Sequence, residues 1–246
     1  MPSLGSAALV VAFGLVVYSA VAGGYAAYRG RRRLLDSATN ALYAAFAGVL
    51  LAAFVLFAAL ARHDFSFAYV ASHTSRELPL GYTLASFWSG QEGSLLLWLL
   101  VLTGMGSAAV ALNRRLIRTV LPWTVPILGA IASFFALLLV FVASPFETQV
   151  APLDGAGMNP SLQNPYMLAH PPLLYLGYVG LTIPFAFAMG ALASGRADER
   201  WIVATRRWTL ASWTFLGFAI LLGAKWAYEE VGWAAGTPGT RSRTRR

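Results

Sequence analysis

The sequence predicts an all-α membrane protein, a polytopic bundle of about six transmembrane helices with its N-terminus outside. Hydrophobic residues make up 58% of the chain and charged residues only 11%, which leaves too little polar surface to cover a soluble domain. The apolar segments are each long enough to cross the ~30 Å hydrocarbon layer of a bilayer as a helix. Because backbone groups in lipid must be hydrogen-bonded within the protein, we expect these segments to be helical.

The predicted spans follow one another along the whole chain. They lie near residues 4–28, 38–61, 93–112, 120–142, 172–194 and 208–228. The first five contain no Asp, Glu, Lys or Arg, whereas the sixth contains Lys225 near its end. We expect the helices to pack through small residues, because close backbone approach drives helix association in lipid. These residues include Gly104, Gly106, Gly177 and Gly180.

The positions of the arginines predict the orientation, since Lys and Arg in short loops are retained on the cytoplasmic side. Arginines cluster after the first, third and fifth spans, at positions 29, 31–33, 114, 115, 118, 196, 200, 206 and 207. The alternate loops, 62–92 and 143–171, contain only Arg62 and Arg76 and are predicted to face outward with the N-terminus. The net charge of +8 therefore reflects membrane topology more than nucleic-acid binding, and loose attraction to anionic lipid is expected. The first segment differs from a cleaved signal, because its basic cluster follows the apolar residues.

The chain contains no cysteine, which excludes disulfides and thiolate sites for zinc or iron–sulfur clusters. A c-type haem attachment sequence is absent for the same reason. Any haem would have to be held non-covalently by His, Met or Tyr.

The first predicted outer loop leads into the third span through an aromatic and glycine-containing motif, residues 87–98. Ser89 and Glu92 have the spacing of a capping box at the start of that span. Two readings of Trp88 and Trp98 remain open: ordinary anchors at the membrane interface, or part of the lining of a ligand platform on the outer face.

The histidines of the chain differ in their surroundings. His63 and His73, in the first outer loop, are expected to be solvated or locally bonded. His170 precedes Pro171 and Pro172, which we expect in the first turn of the fifth span, where a missing amide hydrogen has no partner. The positive end of that helix would favour neutral imidazole, the form that binds iron. The residues alone leave His170 as either a metal ligand or a packed side chain.

Together these motifs resemble a known family. WSGQEGSLLLW at 88–98, HPPLLYLGYVG at 170–180 and WAYEEVGW at 226–233 are similar to cytochrome c maturation protein F, the haem lyase subunit also known from nitrite-reductase assembly. The resemblance covers about residues 1–233. The family commonly has His where this chain has Gln91, so Gln91 is assigned no ligand role.

The resemblance implies a complex in the plasma (inner) membrane that receives haem from a haem chaperone and attaches it to apocytochrome c with its delivery subunits. His170 matches an axial ligand of non-covalent haem b on the extracytoplasmic face, and no catalytic residue is assigned. Possible haem-platform contacts are Trp88, Trp98, Tyr175, Trp226 and Trp233. Haem propionates are guessed to meet Arg62, Arg76 or Lys225. The family's second axial histidine and tryptophan-rich platform lie beyond Trp233, so residues 1–233 correspond to its N-terminal transmembrane portion.

The tail, residues 234–246, is basic and unlike the rest of the chain. The codons of residues 234–246 can also be read in a frame moved by one base, starting from the last G of the Trp233 codon. With permitted codon choices this frame encodes GGWYAWDPVENAS, which is similar to the family's tryptophan-rich motif. We hypothesise that one G is missing there, and the gene's nucleotide sequence tests this. The alternative is a genuine basic tail that binds anionic headgroups.

Other functions also remain open. A transporter or channel usually has ionisable groups within its spans, and five spans here have none. The chain could also be a non-functional remnant of a haem lyase, or act with a separate C-terminal half. Whether it catalyses thioether formation is left open.

Overall fold

A computed structural model describes residues 1–113, 120–195 and 199–230. The helices in these ranges are α1 (Pro2–Arg29), α2 (Arg32–Ala61), α3 (Ala68–His73), α4 (Leu80–Ala85), α5 (Gln91–Asn113), α6 (Leu121–Phe141), α7 (Pro165–Tyr178), α8 (Thr182–Ala193) and α9 (Arg200–Glu230). Short 3-10 turns lie at Ser86–Trp88 and Pro160–Leu162. Trp233 and the predicted tail, 234–246, lie outside the described residues.

The predicted all-α membrane bundle is confirmed. Six helical segments of the described chain are long and apolar enough to cross a membrane: α1, α2, α5, α6, α7 with α8, and α9. The fifth span differs from the prediction, because it begins at Pro165 and is interrupted at residues 179–181. Pro184 has no amide to donate to the Gly180 carbonyl, which instead accepts from Ile183 at 3.1 Å. The chain therefore makes a tighter turn there.

The core is formed by α1, α2, α5 and α6. α8 packs against the N-terminal half of α6. Its largest fully buried side chains include Phe67, Phe87, Leu56, Leu96 and Phe187. α9 packs against α7 and α8. Within α9 the buried residues are Thr205, Ser212 and Ala219, which recur every seventh position as one narrow stripe. α9 is therefore the edge helix of the described bundle.

The two predicted outer loops form a single layer at one end of the bundle, which we call the loop layer (residues 62–90 and 142–164). The Ala68 amide donates to the Glu147 carbonyl at 2.9 Å, and the Ala156 amide donates to the Ala71 carbonyl at 2.7 Å. The N-terminus lies at the same end, since Met1 Sδ is 3.9 Å from Arg62 Nη1. Both loops and the N-terminus thus share one side, as the arginine pattern predicts for their relative placement.

Small residues make the closest helix contacts, as expected. α7 and α9 run antiparallel, and a Cβ added at Gly177 would lie 2.7 Å from the Leu216 backbone. Gly180 lies against Ser212 one turn further along. Gly104 faces Phe46, and Gly106 faces Leu128.

Candidate functional site

α7 begins earlier than the sequence pattern predicts, which changes the position of His170. Asn164 caps the helix, with its Oδ1 accepting from the Tyr166 amide at 2.9 Å, and Pro165 occupies the first helical position. Pro171 and Pro172 therefore lie inside the helix, and the prediction that they form its first turn is wrong. His170 lies in the second turn, near the loop layer.

The two prolines leave gaps in the hydrogen-bond ladder of α7, because they have no amides for the Met167 and Leu168 carbonyls. Trp88 fills the first gap: its Nε1 donates to the Met167 carbonyl at 3.3 Å. The motif at 88–98 is thus joined to α7, the helix that contains His170. The only N–H donor of the Trp88 indole is therefore used in a hydrogen bond to α7.

The imidazole of His170 lies in the contact between α7 and α9. Its Nδ1 is 2.7 Å from the carbonyl oxygen of Ala219, a fully buried residue of α9. A carbonyl can only accept, so Nδ1 carries the proton and, in the neutral ring, Nε2 holds the lone pair. Nε2 makes no hydrogen bond to any residue that the structure describes. Metal-binding histidines show this arrangement, with one nitrogen donating to a carbonyl and the other left for the metal.

The ring is able to reach that carbonyl because Gly223 lies one turn beyond Ala219. A Cβ added at Gly223 would lie 2.5 Å from His170 Cε1 and 2.8 Å from Nδ1. Sequence reasoning missed both residues of α9. The small residues at the spacing Ala-x-x-x-Gly in a predicted span were the signal that could have found them.

A polar network holds the loop-layer ends of α7 and α9 together. Asn164 Nδ2 donates to Glu229 Oε2 at 3.2 Å and to Glu230 Oε1 at 2.9 Å. Trp226 Nε1 donates to the Ser161 carbonyl at 2.9 Å. Lys225 is paired with Glu229 at 3.1 Å. Trp226 follows Gly223 by three positions, so both lie on the same face of α9 as the His170 contact.

Trp98 and Tyr175 belong to a different part of the bundle. Trp98 stacks on Phe135 with ring centroids 4.4 Å apart, and its centroid is 4.8 Å from Tyr178 and 6.1 Å from Tyr175. Tyr175 follows His170 by five residues, a rotation of about 140° around α7. The structure therefore separates this aromatic cluster from the imidazole, and it does not bring Trp98 or Tyr175 to His170.

The other two histidines differ from His170 and from each other in their bonding. His73 Nδ1 lies 2.8 Å from Ser72 Oγ and 2.9 Å from the Tyr69 carbonyl, and its ring stacks on Tyr69. This confirms the expectation that His73 is locally bonded. His63 has a positive φ of 49°, and its buried Nε2 has no partner among the described residues. Within the same residues, no group of three or more His, Asp or Glu side chains is placed to hold a metal ion.

The arginines guessed as propionate partners lie in the loop layer, away from the contact between α7 and α9. The Arg76 guanidinium lies 5.9 Å from the centre of the Phe65 ring, and its amide donates to Asp154 Oδ1 at 3.0 Å. The amides of Arg76 and Gly155 hold the pKa of Asp154 below its ordinary value. Lys225, on α9, is the guessed cation that adjoins the His170 contact.

The start of α5 is organised by Tyr69 instead of the predicted capping box. Ser89 Oγ donates to the Ser86 carbonyl at 3.0 Å, and among the described residues no amide of α5 donates to it. The buried Tyr69 hydroxyl accepts from the Gly90 amide at 3.1 Å and donates to the Ser86 carbonyl at 2.7 Å. Burial raises the pKa of Tyr69, which keeps this donor protonated. The capping-box prediction is therefore wrong.

A cavity of about 670 Å³ lies at the turn between α1 and α2. It is lined by Gly30, Arg31, Arg32, Arg33, Leu34 and Ser37. Because α1 is 28 residues long, this turn is at the end of the bundle opposite the loop layer. The cavity is therefore remote from His170.

Residues 88–237 match the family model described as cytochrome C assembly protein, and this match includes both α7 and α9. The chain belongs to the cytochrome c assembly protein family. The predicted resemblance is thereby confirmed, and the described bundle is a multi-pass membrane portion of a protein of this family.

Individual members of the cytochrome c assembly family match almost the whole chain. The cytochrome c-type biogenesis protein CcmF of Escherichia coli (strain K12) is 38% identical over 235 residues, which cover 95% of this chain and 36% of that relative. The CcmF protein of Pseudomonas aeruginosa is 40% identical over the same shares. The cytochrome c-type biogenesis protein NrfE of Haemophilus influenzae is 35% identical over 234 residues, 95% of this chain and 37% of that relative.

A solved structure agrees with these matches. The structure titled Cytochrome c Heme Lyase CcmF superposes with a TM-score of 0.71 at 34% identity, over 94% of this chain and 36% of that chain. This chain thus spans just over a third of the length of the relatives it matches, and it corresponds to their N-terminal portion.

Proposed function

We propose that this chain binds haem through His170 and serves as part of a haem lyase subunit in cytochrome c biogenesis. The observation that carries the proposal is the hydrogen bond from His170 Nδ1 to the Ala219 carbonyl, 2.7 Å long, which leaves Nε2 as the nitrogen without a hydrogen bond among the described residues. An axial ligand requires a ring nitrogen without a hydrogen bond, and at His170 this nitrogen lies at the contact between α7 and α9, within the segment that matches the cytochrome c assembly family.

The residues around His170 fit haem b better than other metal groups. The described chain offers no cluster of His, Asp or Glu for a bare metal ion, and the chain contains no cysteine. A single imidazole beside apolar helix surface is the donor set that a porphyrin iron accepts, since four of its ligands come from the porphyrin. The group would supply a redox-active iron and the vinyl groups that become thioethers. This chain would supply ligation and position.

Trp226 is the aromatic side chain that we assign to the haem surface. It lies on the His170 face of α9, and the bond from its Nε1 to Ser161 fixes the indole against the loop layer. We assign Lys225 as the cation that would bind a haem propionate. The propionate would compete with Glu229 for the Lys225 ammonium group. Trp88 is bonded to the Met167 carbonyl, and Trp98 and Tyr175 pack in a separate aromatic cluster, so we give all three structural roles. Trp233 lies outside the described residues.

The proposed partners follow from family membership and from charge. Relatives named for cytochrome c-type biogenesis support a role with a haem chaperone, apocytochrome c and its delivery subunits. The arginine pattern supports an inner-membrane location with the loop layer, and so the haem site, on the extracytoplasmic face.

The test is haem binding by the purified chain in detergent. Hemin is titrated into the unchanged chain, His170→Ala and His73→Ala, and the Soret absorbance of each is followed. We expect a saturable Soret band in the unchanged chain and in His73→Ala, and its loss in His170→Ala. Equal binding by His170→Ala and the unchanged chain would contradict the proposal.

A further inference from the structure

The backbone of α9 comes unusually close to the imidazole of His170. A Cβ built on Gly223 would lie 2.5 Å from Cε1, 2.8 Å from Nδ1 and 3.2 Å from Nε2 of that ring. The three atoms belong to a rigid ring near the backbone of α7, which cannot swing aside as the end of a long side chain can. Even the smallest side chain at position 223 would therefore displace the imidazole.

Gly223 and the acceptor of the imidazole proton are one helical turn apart. The Ala219 carbonyl points along α9 toward residue 223, as every carbonyl in an α-helix points toward the residue four positions on. The imidazole reaches this oxygen at 2.7 Å only by lying over the backbone at Gly223. The missing side chain and the hydrogen bond are therefore parts of one arrangement.

This arrangement is not needed merely to hold α7 against α9. The two helices are already in close contact where Gly177 meets Leu216 and where Gly180 meets Ser212. Asn164 also ties the start of α7 to Glu229 and Glu230. The contact at Gly223 in addition fixes the position and orientation of the His170 ring.

We infer that Gly223 is a positioning residue for His170: by having no side chain, it allows the Ala219 carbonyl to hold the ring as the Nδ1–H tautomer and leaves Nε2 to bind iron. The assignment of iron as the ligand rests on the proposed function. The tautomer and the ring position are properties of the protein without haem. Backbone carbonyls that accept from a metal-binding imidazole fix its orientation and raise its basicity.

The test compares Gly223→Ala with Gly217→Ala in the full chain. Gly217 is a matched control, because it lies on the same helix and an added Cβ there meets nothing within 4 Å. The chain has only three histidines, so ¹⁵N-histidine labelling gives few ring signals, and those of His170 are identified by their loss in His170→Ala. Tautomers are read from the ¹⁵N shifts without haem, and hemin affinity is then measured on the same samples.

We expect the Nδ1–H tautomer in the unchanged chain and in Gly217→Ala. In Gly223→Ala we expect loss of that single tautomer and a weakening of hemin binding by about 10–100-fold, the range found for outer-shell partners of metal ligands. Tautomer and affinity equal to those of Gly217→Ala would overturn the inference. An Nε2–H tautomer in the unchanged chain would overturn it without any variant, so a poorly folding Gly223→Ala does not prevent the test.

The two proposals fail in different ways. If the tautomer changes in Gly223→Ala but hemin binding does not depend on His170, the proposed function is wrong while the positioning contact is supported. If hemin binding requires His170 but is unaffected in Gly223→Ala, the proposed function stands and the role of Gly223 is refuted.

Discussion

The indole nitrogen of Trp88 donates to the carbonyl oxygen of Met167 at 3.3 Å, at the place where Pro171 has removed the amide that an uninterrupted helix would supply. A side chain from the segment before α5 therefore completes the backbone hydrogen bonding of α7. His170 lies between Met167 and Pro171 in the same turn of α7. The position of its ring thus depends on Trp88 as well as on α9.

Replacing Trp88 by Phe removes this donor and leaves the Met167 carbonyl without a partner. We expect Trp88→Phe to lower the free energy of unfolding by about 1 kcal/mol, since it removes one hydrogen bond to a partly buried carbonyl. Thermal unfolding in detergent measures the change. Trp213→Phe is the control, since Trp213 is 71% exposed on α9 and its replacement should have little effect.

The specific link to Pro171 is tested by a double-mutant cycle. Pro171→Ala restores an amide that can donate to the Met167 carbonyl, so Trp88→Phe should cost less stability in that background. The same measurement on the single and double variants gives the coupling. If the two substitutions are simply additive, Trp88 does not replace the missing amide.

Asn164 makes two kinds of contact, and Asn164→Asp separates them. The introduced carboxyl keeps the cap to the Tyr166 amide but faces Glu229 and Glu230, to which Asn164 now donates. Repulsion from the two glutamates should raise its pKa relative to that of a capping Asp without acidic neighbours, so the variant should lose stability relative to such a cap as pH rises through the carboxyl range.

The measurement for this variant is unfolding between about pH 3.5 and pH 7, a range that includes the ordinary Asp pKa. Asn159→Asp is the matched control, because Asn159 also accepts from a backbone amide, that of Ser161 at 3.1 Å, and no carboxylate bonds to it. We expect its stability to follow that of the unchanged chain. A pH profile of Asn164→Asp parallel to this control would show that the bonds to α9 are not formed.

The bond from the Arg76 amide to Asp154 joins the two halves of the loop layer and should weaken in acid. The amides of Arg76 and Gly155 lower the pKa of Asp154, so their stabilising effect is present above the unfolded value of about 3.9 and is lost as pH falls through the lower folded pKa. The amide shift of Arg76 in NMR should titrate below that value. Asp154→Asn should abolish the titration, and a midpoint at or above the ordinary pKa would contradict the contact.

The spans could be predicted from sequence because length and apolar composition are sufficient in lipid, where the backbone must be helical. The start of α7 was misplaced because two successive signals, Asn164-Pro165 and His170-Pro171, both resemble a helix start, and the cap formed at the first. The break after Tyr178 depends on Pro184, which has no amide for the carbonyl four residues earlier, so the signal for this break is local in the sequence.

The site was only partly predictable. His170 stood out through its prolines, but its partner Ala219 is 49 residues away along the chain, and no sequence period connects the two. Trp98 and Tyr175 are predicted contacts of the site because they belong to the two motifs that carry the family resemblance. The helical period already places Tyr175 about 140° from His170, a conflict that the structure resolves by packing Tyr175 toward Trp98.

The most direct test of haem ligation by His170 is the iron–imidazole stretching band in the resonance Raman spectrum of the ferrous haem-loaded chain. With ¹⁵N-labelled histidine, we predict a band that shifts with the isotope, persists in His63→Ala and His73→Ala, and disappears in His170→Ala. Haem that remains bound in His170→Ala with the same isotope-sensitive band would contradict the assignment.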